Sequence, residues 1–314
     1  NDRSEKSIGA FFEYNFDNLS NLNLTAGIRI DNHNKMGTFL TPRFHLRYTP
    51  VEKSVLRLSF GRGKRMANIF AENQNLFATT RLIQLPVDDL KSEDAWNYGI
   101  SFLQNFNLFN KKSEIILDYY YTDFNNQVIV DWENPYEISF YNLIGKSFAA
   151  SFQSQFNYYI NENVEFKLAY KLYNVKTDYA SGRLTKPMTP KERLFINFNI
   201  NSNLNDDGSQ WKFDTTFNWI GKQRFSNRLT NIPHFLPLNT DKYSPQFSTV
   251  NAQLTRVFSE KFEVYLGVEN LTNTKQKNPI VGSESPFGPR FDTTFVYGPI
   301  FGSMYYTGLR FKIY

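Results

Sequence analysis

Segment after segment of this chain alternates apolar and polar residues with a period of two, over lengths that strands of soluble proteins seldom reach. Ile8, Ala10, Phe12, Tyr14 and Phe16 share a face opposite Gly9, Glu13 and Asn15. Leu22, Leu24, Ala26, Ile28 and Ile30 oppose Asn23, Thr25, Gly27, Arg29 and Asp31. Leu56, Leu58 and Phe60 oppose Arg57 and Ser59, and Trp96, Tyr98, Ile100 and Phe102 oppose Asn97, Gly99 and Ser101. The rule continues through Val164–Leu172 and Trp211–Trp219 and ends in "YYTGLRFKIY", where Tyr305, Thr307, Leu309, Phe311 and Ile313 oppose Tyr306, Gly308, Arg310 and Lys312. About thirteen such segments can be traced, most of about ten to twelve residues, the length a tilted strand needs to cross a bilayer.

The connections between segments are unequal in a regular order. "FDNLSN", "TPVEKS", "NLFNKK", "INEN", "NLNDDGS" and "SEK" are short turns rich in Asn, Asp, Ser and Gly. Between them lie mostly long excursions, about 64–92, 132–145, 176–189, 222–246 and 271–301. Short turns on one rim and long loops on the other predict an all-β, transmembrane antiparallel β-barrel with periplasmic turns and extracellular loops. A large soluble sandwich or propeller also alternates. Against it, no repeat of propeller length recurs, and Arg43, His45 and Arg47 interleave Phe44, Leu46 and Tyr48 too densely for a strand dry on both faces.

Composition agrees with that reading. Thirty-one Phe and 19 Tyr raise the aromatic content to 17%, which girdles on a lipid-facing belt use freely. Mean hydropathy is negative and no apolar run reaches the length of a spanning helix, as expected when each lipid-facing residue is followed by a lumenal one. Cysteine is absent, which excludes disulfides and thiolate chemistry. The net charge of +5 is spread along the chain and gives no nucleic-acid footprint.

Four stretches carry a family resemblance. "EVYLGVENLTNTKQKNPI", followed by "PFGPRFDTTFVYGPIFGSMYYTGLRFKIY", resembles the C-terminal end of a TonB-dependent outer-membrane receptor, particularly of the Bacteroidota type. "SFGRGKRMANIFAENQNLFATTR" and "TPRFHLRYTP" resemble a strand-to-loop element and a mid-barrel strand of the same family. The family usually ends on an aromatic residue in phase with the outward face, whereas Ile313 holds that phase here. The resemblance implies a barrel of about 22 strands around an N-terminal plug. The chain is then expected to be the C-terminal portion of that barrel, with the earlier strands and the plug outside this sequence. Left alone, Ile8–Phe16 would present an unpaired edge to lipid, at several kcal/mol per unsatisfied backbone group.

No catalytic constellation emerges, so no enzyme activity and no cofactor are expected. The three histidines, His33, His45 and His234, lack metal-ligand spacing. Gly61, Arg62 and Gly63 are expected to end a strand with no helix behind them, which excludes a phosphate-binding loop. The stretch from Lys64 to Ser92 is the candidate binding loop, with Arg65, Asn68, Phe70, Glu72, Asn73 and Arg81 as hydrogen-bonding and aromatic groups for a large polar ligand. His234, in another long loop, is a further candidate substrate contact, the other reading being a solvated loop histidine. The alternative is that these loops pack on one another or on a surface lipoprotein. Arg29, Arg43, His45, Arg47 and Arg57 are expected to face the lumen or the plug.

The resemblance implies active uptake of a scarce, large nutrient across the outer membrane: a ferric siderophore, cobalamin, haem or another metal complex. The partners implied are the rest of the receptor, the TonB-ExbB-ExbD energising complex acting through the plug, and membrane lipid. The competing expectation is a receptor-like barrel serving as a structural scaffold subunit among other outer-membrane proteins. A plug with a TonB box upstream of Asn1 would favour transport; a plug without one would favour the scaffold.

Overall fold

The computed structural model describes residues 4–86, 90–226, 242–286, 288–289 and 291–313. Its strands are β1 (Ser7–Asp17), β2 (Leu22–His33), β3 (Gly37–Tyr48), β4 (Ser54–Arg65), β5 (Leu82–Gln84) and β6 (Glu93–Leu108). They continue as β7 (Lys111–Asn126), β8 (Val128–Asp131), β9 (Glu137–Asn142), β10 (Ser147–Asn161), β11 (Val164–Tyr179) and β12 (Gly182–Thr185). The last are β13 (Glu192–Asn201), β14 (Gln210–Ile220), β15 (Phe247–Ser259), β16 (Phe262–Glu269) and β17 (Met304–Phe311). One helical turn, α1 (Ile69–Glu72), precedes a 3-10 turn at Gln74–Leu76.

Thirteen of these strands follow one another through a single sheet in the order β1-β2-β3-β4-β6-β7-β10-β11-β13-β14-β15-β16-β17, with β12 folded back on β11. Each neighbouring pair along this path is antiparallel. The register keeps side chains of one polarity in rows. Phe16, Leu24, Leu46, Leu58, Ile100, Tyr119, Phe152 and Leu172 occupy one cross-strand row. The neighbouring row on the opposite face reads Asn15, Thr25, His45, Ser59, Gly99, Tyr120, Ser151 and Tyr173. A one-residue slip at any pair would exchange the two faces, so burial of neither face in water or lipid tolerates it.

The apolar face is exposed rather than buried: Ile8 is 79% and Leu309 69% accessible. It carries two aromatic ladders. Near the long-loop rim Trp96 stacks on Phe60 at 4.8 Å, and the series continues through Tyr98, Tyr121 and Phe148 with centroid distances of 5.3, 6.4 and 5.7 Å. Near the short-turn rim Phe106, Phe156 and Tyr158 form one group, Phe166 and Phe198 a second, and Phe258 and Phe262 a third. Aliphatic residues fill the band between. From Phe148 to Phe156 the backbone advances roughly 27 Å. At the usual strand tilt this becomes roughly 20 Å of height, close to the apolar band of outer-membrane barrels.

Aromatic rings on the other face are accommodated by glycine. Tyr306 lies over Gly267, where a Cβ would meet its ring at 2.2 Å, and Tyr265 lies over Gly308, where a Cβ would meet its hydroxyl at 2.3 Å. The two pairs are register partners on β16 and β17. Tyr306 Oη also donates to Gln253 at 3.0 Å, tying β17 to β15 across β16.

The rims differ as their sequences do. Turns of a few residues join β1 to β2, β3 to β4, β6 to β7, β10 to β11 and β15 to β16. At the opposite rim β2 and β3 are joined tightly, but the remaining connections are long and partly structured. Two of the long excursions are partly hairpins: β11 runs on to Tyr179 before β12 returns, and β9 pairs with β8, which begins ahead of the excursion, and parallel with β5. Strand β4 also continues past Gly63 to Arg65, and α1 follows. The reason is local: Asn68 Oδ1 accepts from Ala71 N at 3.1 Å and Glu72 Oε1 accepts from Asn68 N at 2.8 Å, so the N-terminus of one helical turn is capped reciprocally.

Height in the sheet decides the cost of a charge on the apolar face. Ile100 sits between the two ladders, whereas Leu309 shares a cross-strand row with Trp211 and Arg256 at the lower ladder. Ile100→Arg should therefore destabilise the barrel in lipid vesicles by about 2–4 kcal/mol, and Leu309→Arg by about 0–1 kcal/mol. Equilibrium unfolding of the full barrel measures both, and equal costs would show that the band is misplaced.

Candidate functional site

Among the described residues every buried hydrophobic side chain lies in the long-loop layer and none in the wall: Leu76, Val128, Ile129, Trp132, Ile138, Phe140, Tyr179 and Phe295. Leu76, Trp132, Ile138 and Phe140 form the core, with Ile69, Phe77, Ile83, Val130 and Met188 packed around it. This is a small globular unit standing on the rim of the sheet, its core drawn from the connections after β4, β7 and β11. Such a unit can hold side chains in place above the lumen, which a set of separate loops cannot.

Arg81 is its centre. Its side chain is 1% exposed and pairs with Asp292, at 0%, across 3.2 Å. Arg81 Nη2 donates to Thr294 Oγ1 at 2.7 Å and Nη1 to the Trp132 carbonyl at 3.1 Å. The guanidinium lies 5.7 Å from the Trp132 ring and 5.5 Å from that of Phe295. The ion pair joins the connection after β4 to the one after β16, 211 positions apart. A second pair, Arg224 with Glu133, joins the connection after β14 to the β8–β9 hairpin, and Arg224 Nε also donates to the Thr185 carbonyl at 2.7 Å. Gln276 binds three groups of its own loop, accepting from the amides of Tyr297 and Gly298 and donating to the Phe295 carbonyl.

Asn270, in the "GVENLTN" run, terminates β16. It has φ of 53°, a left-handed conformation that asparagine adopts more readily than most residues. Its side chain donates to the carbonyls of Thr274 and Phe301 and accepts from Thr274 N. Two tyrosines are clamped in the same layer. Tyr141 donates to Asp131 Oδ2 at 2.6 Å and accepts from Ala180 N at 3.0 Å; burial, then the bond to Asp131, pushes its phenol well above the usual range. Burial, with Glu133 nearby, does the same to Tyr179.

The candidate binding residues of the first long loop divide. Arg65 grips Glu72 through Nη1 and Nη2 at 3.1 and 2.8 Å and Glu93 through Nε at 2.7 Å. Asn68 caps α1, and Asn73 donates to the Ile69 carbonyl at 2.9 Å. Phe70 is 58% exposed and begins a stack that runs to Phe77 at 5.2 Å and Phe140 at 6.0 Å. Arg65, Asn68, Glu72 and Asn73 thus shape the loop that presents Phe70, while Arg81 is interior. His234 lies outside the described residues.

The lumen candidates share the polar face. Arg29 holds Asp31 bidentately, both bonds 2.7 Å. Arg43 lies across Gly27, where a Cβ would come within 2.9 Å of Nε, and pairs with Glu13. His45, Arg47 and Arg57 line one concavity with Arg43, Asn97, Ser101 and Tyr120. His33 is 7% exposed and accepts from Lys35 N through Nδ1 at 3.1 Å. No group of His, Cys, Asp and Glu among the described residues could hold a metal ion.

The pairing of Arg81 with Asp292 was not legible in sequence, since nothing local to either residue points to the other. Removing one partner alone leaves a buried charge, at a cost of about 3–5 kcal/mol. Arg81→Met should therefore open the loop layer to protease while the wall stays folded, and Arg81→Met with Asp292→Leu should recover much of the resistance. Limited proteolysis of the detergent-solubilised protein checks this; unchanged resistance in the single variant would refute the anchoring role.

Residues 1–271 match the family model described as TonB dependent receptor-like, beta-barrel. No curated protein matches the chain. Among solved structures, a mutant ferric enterobactin receptor (PfeA) from Pseudomonas aeruginosa, in complex with enterobactin, is 15% identical with a TM-score of 0.71, over 98% of this chain and 45% of that one. The siderophore receptor PirA from Acinetobacter baumannii is 14% identical with a TM-score of 0.66, over 98% and 46% of the two chains. The copper transporter OprC is 12% identical with a TM-score of 0.69, over 98% and 48%. The chain spans about half the length of these solved structures, and at such identities the likeness is one of fold.

Proposed function

Because the chain belongs to the TonB-dependent receptor-like β-barrel family, we propose that it forms the wall and outer loops of an outer-membrane receptor for a scarce metal complex. Ferric siderophores, cobalamin, haem and other chelates too large for passive pores fall in that class. The observation that carries this reading is the division of one sheet into an apolar belt between two aromatic ladders and a polar opposite face, roofed at one rim by a loop layer with its own core. The PfeA structure contains enterobactin and OprC is described as a copper transporter, and both share this fold.

In this reading the long connections are extracellular and the short turns periplasmic. The chain is the C-terminal portion of a barrel of about 22 strands, of the Bacteroidota type, whose earlier strands and plug lie elsewhere in the protein. Capture begins at the loop layer, where Phe70 projects from a frame held by Arg65, Glu72 and Glu93. The polar wall then receives the complex once TonB, driven with ExbB and ExbD by the inner-membrane proton gradient, displaces the plug. The wall itself is a rigid hydrogen-bonded frame, so movement is confined to loops and plug.

The test is accumulation of radiolabelled iron and cobalt chelates by cells carrying the full-length receptor. Accumulation that stops on adding a protonophore or deleting TonB is expected. Binding to the cell surface with no accumulation of any chelate would overturn transport and favour the scaffold reading.

A further inference from the structure

The apolar face of the wall carries a charge at one place in the last four strands of the path. From β14 to β17 the register puts Arg256, and no other charged residue, on that face. Arg256 stands opposite Trp211 on β14 and Val264 on β16, and Val264 stands opposite Leu309 on β17. Its neighbouring strands are in place on both sides, and its face is the one turned away from the lumen. Neither a plug nor any further strand of the barrel would cover it.

The surroundings of Arg256 hold the cation without satisfying it. Its guanidinium lies 5.1 Å from the Trp211 ring and 5.6 Å from that of Phe258. Phe258 follows Arg256 on a strand that runs toward the short-turn rim, so the side chain leans that way, out of the hydrocarbon. A β-bulge between Val257 and Ser259 displaces Phe258, which stacks on Phe262 at 5.5 Å. Ring faces attract a cation but leave most of the five guanidinium N–H donors without an acceptor. Among the described residues no oxygen accepts from Arg256 and no carboxylate pairs with it. Asp207, in the turn between β13 and β14, is near enough for the two charges to be felt, but its Oδ1 accepts from Ser209 N at 2.8 Å. Trp211 is 48% exposed, and its indole N–H likewise has no acceptor among the described residues.

We propose that Arg256, with the Trp211 indole N–H, binds the phosphodiester of a glycerophospholipid in the membrane leaflet at the short-turn rim. This rests on the orientation proposed above, with the short turns periplasmic, and is independent of transport. The row lies at the lower aromatic ladder, the level at which headgroups meet the hydrocarbon. A phosphodiester brings the opposite charge that Arg256 lacks and two free oxygens that a guanidinium grips as a fork. Water would supply acceptors but no charge, and the stacked rings of Phe258 and Phe262 stand on the side from which it would come. Above the row the register partners Leu254 and Leu266, both exposed, offer the surface along which the acyl chains lie.

The experiment is native mass spectrometry of the full-length receptor, delipidated in detergent and titrated with phosphatidylglycerol or with a digalactosyl diacylglycerol of the same acyl chains, which has no phosphate. The wild type is expected to carry one phosphatidylglycerol more than Arg256→Gln, until about tenfold more lipid fills the difference. The galactolipid should bind both alike. Arg256→Lys keeps the charge without the fork and should keep part of the gain. Trp211→Phe keeps the ring without the donor and should weaken that one lipid by about threefold. Heat-modifiability on gels confirms a folded barrel in each variant. Equal phosphatidylglycerol counts for the wild type and Arg256→Gln would overturn the site, and so would an equal loss of galactolipid. Displacement of that lipid by inorganic phosphate would mark a free-anion site and overturn it as well. No chelate enters these readouts, so the transport reading stands or falls separately.

Discussion

A backbone N–H or C=O exposed to hydrocarbon has no solvent to bond to, and everything else in this protein depends on meeting that constraint. The answer is an antiparallel ladder in which each strand of the path bonds the next one along it. Once the backbone is satisfied in this way, the side-chain rule inverts. Ile8, Phe12, Leu266 and Leu309 are among the most exposed hydrophobic residues in the chain, because lipid is the medium they meet. The wall therefore needs no dry core of its own. Its stability comes from register, from cross-strand rows and from the match between the apolar belt and the bilayer.

The aqueous side obeys a different economy of space. Tyrosine and arginine lie flat on the sheet where a glycine beneath leaves room, as Tyr306 does over Gly267 and Arg43 over Gly27. Arg29, Arg43 and Arg310 on that face are each paired with a carboxylate, Asp31, Glu13 and Glu263.

Above the rim the usual rule returns. The loop layer meets water on its outer side, so it folds like a small soluble domain, around Ile138 and Phe140 with the Arg81–Asp292 pair inside. Hydrogen-bonded tyrosines and capped turns brace it further. This is why most of the polar residues that the first long loop offers as ligand contacts are spent on its own structure. Arg65, Asn68 and Asn73 each bind a partner within the loop or at its base, and what they leave outward is an aromatic surface at Phe70.

The sequence by itself determined the strands, their two faces, and the alternation of short turns with long connections. All three follow from local spacing: in a period-two segment the medium on each side selects the residue type, and Asn, Asp, Ser and Gly mark where the chain turns back. It also pointed to Arg43, His45, Arg47 and Arg57 as members of one face. Only the tertiary structure decided which residues stand opposite each other. Arg47 meets Arg57, and Lys171 meets Arg193, because of the register of paired strands. Arg81 finds Asp292 because the sheet curves the first and last long connections toward each other. Even the hairpins of β8–β9 and β11–β12 needed the loop layer to hold them, since their returning strands, β9 and β12, lie in stretches that read as long connections. Spacing along a strand is a property of neighbours in sequence, whereas register and loop docking are set by contacts between segments far apart in it.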